Sequence, residues 1–182
     1  MELIYSLTEN DYLQQQLYLA SKSEFVKKQR KKTKLLIILS LFMIGLGLYI
    51  NKNKFEGYCF GSASVVFFFF FPLYFKKRHQ FFLKKYVNEN FKNRIGINIK
   101  VLFNEEVLDI LTGGVGISSV NFSNFKNISE IKDYFFIAFK TGESLMIPKD
   151  KIEDAEKLRN KLKSIAENLK IDFISELDWK WK

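Results

Sequence analysis

Two runs without a charged residue, 35–50 and 58–75, interrupt a chain whose remaining hydrophobic positions recur at periods of two or of about 3.6. At about 1.5 Å per helical residue the first run covers ~24 Å of a hydrocarbon layer ~30 Å thick. Lys34 on one side and Asn51–Lys52 on the other can extend it into the headgroups. The second run lengthens to a full span when Phe55 and Gly57 are added across Glu56. Neither run shows the polar stripe of a soluble amphipathic helix. Together they predict a transmembrane helical hairpin over 35–75 that reverses at 51–54. Small residues, Gly45 and Gly47 in the first span and Gly61, Ser62, Ala63 and Ser64 in the second, would allow close helix contact.

Before the hairpin, Leu3, Tyr5 and Leu7 alternate with Glu2, Ile4 and Ser6, which predicts a short strand. Thr8 stands as an N-cap, with Glu9 and Asp11 in the first turn of a helix expected over about 9–28 that can continue into the first span. After the hairpin, Phe82, Leu83, Tyr86 and Val87 continue the second helix amphipathically to about 90. From Gly96 the period becomes two. Strands are predicted over 97–103, 107–111, 134–139 and 144–147, with 115–122 and 125–131 as further short strands or a strand with a following turn, and with turns at 104–106, at Gly113, Gly114 and Gly116, and at 140–143. Ile152, Ala155, Leu158, Leu162, Ile165 and Leu169 then mark one face of a C-terminal helix, with Asp150 as its expected cap. An antiparallel sheet needing one helix to cover its open side has the logic of a PH-like barrel. The expected fold class is therefore a two-span membrane hairpin plus an α+β cytoplasmic domain. Its parts are a strand, helix and basic flank at 1–34, the hairpin at 35–75, a basic juxtamembrane helix at 76–94 and the PH-like domain at 95–182.

Charge sharpens this picture. The chain of 182 residues has a net charge of +9 and 20 Phe, five of them consecutive at 67–71. Residues 22–34 and 76–94 each net +6, whereas 95–182 nets −1. The excess basicity thus flanks the two uncharged runs, which by the positive-inside rule puts both termini in the cytoplasm. Arg30, Lys31, Lys32, Lys76, Lys77 and Arg78 are the candidate contacts for anionic lipid, at ~1 kcal/mol each near the surface, although topology alone also accounts for them. A domain near neutrality lacks the electrostatic footprint of a nucleic-acid binder.

Several short signatures carry a resemblance. Phe125, Ile128 and Ile131 stand at three-residue steps, Asp133-Tyr134 opens an aromatic strand, and Ile147-Pro148-Lys149 precedes the last helix. The segment from Tyr5 to Tyr12, read Tyr-Ser-Leu-Thr-Glu-Asn-Asp-Tyr, comes before a basic stretch and a two-span hairpin. In these features and in the order of its parts, nearly the whole chain resembles the YcxB-like family. The resemblance implies a bacterial cell-membrane protein with a PH-like C-terminal domain, in a family without an assigned activity.

Candidate chemistry is sparse. Gly113, Gly114 and Gly116 are not followed by the Lys-Ser/Thr of a phosphate loop, and Ser119 stands where a third dinucleotide-loop glycine would be. His79 is the only histidine and Cys59 the only cysteine, so neither a His-paired nucleophile elsewhere nor an intrachain disulfide can be built. Glu105 and Glu106 are adjacent in a turn and read as solvated carboxylates rather than an acid–base pair. Neither span holds an ionisable side chain of the kind that marks a transport path. Trp179 and Trp181, two apart beside lysines, suit a membrane interface or a partner groove; packing back onto the domain suits them equally. The expectation is a non-enzymatic, membrane-anchored binding or scaffold protein without cofactor or metal, whose partners are the bilayer and a protein, a second copy included. The alternative is a small membrane enzyme or transporter accessory subunit.

Overall fold

The computed structural model describes residues 1–114 and 116–181. The chain forms two compact units, one of Met1–Gln15 with Val87–Lys180, the other of Gln16–Tyr86 with Trp181.

The first unit is built on two four-stranded sheets. In one, β1 (Glu2–Ser6), β2 (Asn98–Phe103), β3 (Val107–Thr112) and β4 (Gly116–Asn121) follow in sequence order, each antiparallel to the next. The expected strand start at Val115 lies outside the described residues. The other sheet has the order β7 (Ser144–Pro148), β6 (Tyr134–Phe139), β5 (Phe125–Ile131) and β8 (Phe173–Glu176). Its pairs are antiparallel except that β8 runs parallel to β5. β2 alternates as its sequence demands, burying Ile99, Val101 and Phe103. β6 is central and buries Tyr134, Phe135, Phe136 and Ile137 in succession, so alternation is lost where both faces are covered.

The expected barrel does not close. No strand ladder joins the two sheets among the described residues, because β8 takes the edge of β5 that β6 leaves free. Nor does β1 belong to a separate N-terminal segment. It pairs with β2 in the register Glu2↔Leu102 through Ser6↔Asn98, so the whole hairpin is inserted between the first two strands of one sheet. The C-terminal helix, α4 (Ala155–Leu169), buries Leu158, Leu162, Ile165 and Ala166. Its cap is Asp154, whose carboxylate accepts the Lys157 amide at 2.8 Å, rather than Asp150, which is spent in the 3-10 turn Lys149–Lys151.

α1 (Glu9–Lys22), whose first half belongs to the first unit and second half to the second, stops short of the expected end near 28. Ser23 leaves helical geometry at ψ 116° and its hydroxyl accepts the Val26 amide, starting α2 (Glu24–Ile50). The basic cluster 27–34 therefore shares one helix with the first apolar run. α3 (Lys54–Asn90) carries the second apolar run and the basic segment after it without interruption, Pro72 included. Both helices are long and apolar enough to cross a membrane, and only 6% and 11% of their apolar windows are buried inside the protein. A core helix of a soluble fold would bury most of that surface. The hairpin is tight at its tip: a Cβ on Gly57 would meet the Gly45 carbonyl and Tyr49 at 2.9 Å. Gly45 and Gly57 make the close approach, whereas Gly47 and Gly61 face open space.

Candidate functional site

The N-terminal motif folds into a buried polar joint. Thr8 caps α1, and Asp11, three residues on, returns a capping-box bond to the Thr8 amide at 2.7 Å. The Asp11 carboxylate also accepts from the Thr8 hydroxyl (2.8 Å), the Tyr134 phenol (2.8 Å) and the Lys151 ammonium (2.6 Å). Burial works to raise its pKa, and the hydrogen bonds from Lys151, Thr8 and Tyr134 outweigh it, holding the carboxyl below its ordinary range. Tyr134 is pushed the other way, by burial and then by the carboxylate it donates to. Around this joint, Tyr5 donates to the Met146 carbonyl at 2.8 Å, Gln15 donates to the Ser144 carbonyl at 3.0 Å, and Lys151 donates to the Ser6 carbonyl at 2.9 Å. The start of the chain is thereby tied to β7 and to the turn after it.

A second carboxylate is buried in the same unit. Glu130 on β5 is 2% exposed and meets Lys149 Nζ at 2.6 Å, Arg159 Nε at 3.1 Å and the Ser175 hydroxyl at 3.3 Å. The Arg159 N–H is not aimed at the carboxylate, so it supplies charge rather than a directed bond. Glu130 connects four elements: its own strand, the turn after β7, α4 and β8. Both acids have their oxygens occupied by donors, which suits a lock and not a proton-transfer group. The sequence marked Thr8 as a cap and placed Asp11 in the first turn, but showed neither Tyr134 and Lys151 as partners of Asp11 nor Glu130 as a second buried acid. The available signal for Glu130 was the one acid of β5, next to the apolar Ile131.

In the second unit the basic flank is partly engaged. The Arg30 guanidinium lies 5.0 Å over the Phe75 ring and Lys34 Nζ lies 3.7 Å over Phe68, bracing α2 against α3. Arg78 donates to the Tyr74 hydroxyl at 2.6 Å. Lys31, Lys32 and Lys77 are exposed, and Lys76 is half-buried. The Lys76 carbonyl accepts from Trp181 Nε1 at 3.3 Å, while the indole stacks on His79 and His79 stacks on Phe75. Trp181 thus packs on α3, and Trp179, also half-buried, closes a turn through its amide on the Glu176 carbonyl at 2.9 Å. Glu105 and Glu106 form an exposed two-residue turn, and Cys59 is exposed on α3. Among the described residues no three His, Cys, Asp or Glu side chains are grouped to hold a metal.

The spine residues Phe125, Ile128 and Ile131 are all buried, and the strand opened by Tyr134 and the turn at Lys149 meet the two buried acids. Residues 103–162 match the family model described as YcxB-like protein. This stretch is similar to the YcxB-like family. It runs from the last residue of β2 into α4 and contains the 125–149 signatures, while the Tyr5–Tyr12 motif and the hairpin lie outside it, a narrower extent than the sequence resemblance suggested. No curated protein and no solved structure matches the chain. The YcxB-like stretch supplies Glu130, Tyr134, Lys149, Lys151 and Arg159, and so holds every cationic partner of the two locks.

Proposed function

We propose that this chain is a non-enzymatic, membrane-anchored binding or scaffold protein of a bacterial cell membrane. Its hairpin spans the bilayer twice, and its sheet unit and both termini stand in the cytoplasm. One observation carries the reading. The β1–β2 ladder runs as far as Ser6↔Asn98, so the two limbs leading to the hairpin leave the same end of the same sheet. Two strands hydrogen-bonded to each other share one aqueous side, and the chain between them must cross an even number of times. The basic flanks at 22–34 and 76–94 favour the cytoplasm for that side. The order of β1 to β4, β5 to β7 and then α4 supports a PH-like unit left open along one seam, with β8 added. Such a unit presents sheet edges for binding, and its buried acids are committed to structure.

Single cysteines introduced into a Cys59→Ala background test the topology. A membrane-impermeant maleimide should label Asn53→Cys in intact spheroplasts, and should label Glu105→Cys only after permeabilisation. Labelling of Glu105→Cys from outside, or recovery of the protein in the supernatant without detergent, would overturn the reading.

A further inference from the structure

Four strands form sheet edges, and they are not treated alike. On β7 the outward carbonyls of Ser144 and Met146 are capped by Gln15 and Tyr5. On β1 the Ser6 carbonyl is capped by Lys151. β8 is only four residues long and runs into the turn closed by Trp179. Among the described residues β4 has no such guard.

The ladder bonds fix which of its groups are free. Asn104 N on Val107 O, Gly113 N on Asn98 O and Phe122 N on Glu106 O set the alternation, so Gly116, Ser118 and Val120 face β3. The amides and carbonyls of Ile117, Ser119 and Asn121 then point away from the sheet. The strand, Gly-Ile-Ser-Ser-Val-Asn, is exposed at five of its six positions and contains no charge and no proline, the devices that usually blunt an edge. Ile117 is 74% exposed.

We infer that β4 is a self-pairing edge, joining antiparallel to β4 of a second copy about a two-fold axis at Ser119. This deepens the proposed scaffold role and rests on it, since two copies held on one membrane meet at raised effective concentration. In that register Ile117 lies opposite Asn121 of the second copy and Ser119 opposite Ser119, so the three outward residues of each strand exchange about six hydrogen bonds. The two Asp109 backbones stand three strand spacings apart, about 14 Å; their carboxylates, each accepting from its own Ser119 hydroxyl, lie closer, at about a Debye length, and are largely screened at physiological salt. An uncharged, side-chain-poor strand offers nothing to select a foreign sequence, and its own copy fits it without repulsion.

The test uses the full-length protein in its native membrane, with Cys59→Ala throughout. Opposed residues at the axis lie about 5.5 Å apart at Cα, within disulfide reach. Under mild oxidant Ser119→Cys should give at least about tenfold more disulfide-linked dimer than Ser118→Cys. Adding Ile117→Pro, which removes an outward amide and leaves the β3 ladder intact, should abolish it. Equal crosslinking at 118 and 119, no dimer at 119, or linkage of Ser119→Cys to a different protein would each overturn the inference while leaving membrane anchoring standing. Loss of the protein from the membrane fraction would instead sink the anchoring.

Discussion

Asp11 carries its charge where burial opposes charge, and the donors around it decide the outcome. Its folded pKa lies below the unfolded value of about 3.8, so its contribution to stability is complete above that pH and is lost as the pH falls through the folded pKa. Asp11→Asn should therefore melt lower than the parent at pH 7, by ~1–3 kcal/mol, and the gap should shrink below about pH 4, read by thermal denaturation across pH. Glu130→Ala should cost more, ~3–5 kcal/mol, because it strands Lys149 and Arg159 against a buried void. Chemical denaturation measures that difference, and replacement of Lys149 as well as Glu130 should recover part of it. The sequence disclosed Thr8 as a cap because capping is local. It could not disclose that Tyr134 and Lys151 complete the site, since they lie 123 and 140 residues away from Asp11.

At the scale of elements, periodicity served well where one face is buried, as in β2 and the buried stripe of α4, and an unbroken aromatic run between turns marked β6 at Tyr134–Phe139, which is covered on both faces. Periodicity overran α1, because a single serine turns the helix off and restarts it, and it missed β8, whose four residues owe their strand geometry to a parallel pairing with β5. The hairpin depends on Gly57 more than on the other small residues. Gly57→Leu should push the Tyr49 turn of α2 away, whereas Gly47→Leu, facing open space, should be tolerated. Disulfide trapping between cysteines placed at 49 and 58, whose tyrosine rings stand 5.6 Å apart, should fall several-fold for the first variant alone.

For the molecule as a whole, the decisive fact is that the sheet unit is discontinuous in sequence. A fragment of 95–182 lacks β1, exposes the edge of β2 and loses Tyr5, Thr8, Asp11 and Gln15 from the polar joint. It should aggregate or fail to melt cooperatively, whereas 1–15 joined to 87–180 by a flexible linker should give one folded species by circular dichroism and gel filtration. The hydrophobic pattern showed β1 as a strand, but nothing in a period of two names a partner across the hairpin.

That discontinuity also sets a timetable for biosynthesis. β1 leaves the ribosome first, and its partner at Asn98 follows 92 residues later, an interval on the order of 5 to 20 seconds at ordinary elongation rates. Both greasy segments are translated within that wait. A polypeptide that threads only one of them leaves β1 and β2 on opposite sides of the bilayer, unable to meet. Only a chain that threads both segments, or neither, can complete the β1–β2 ladder.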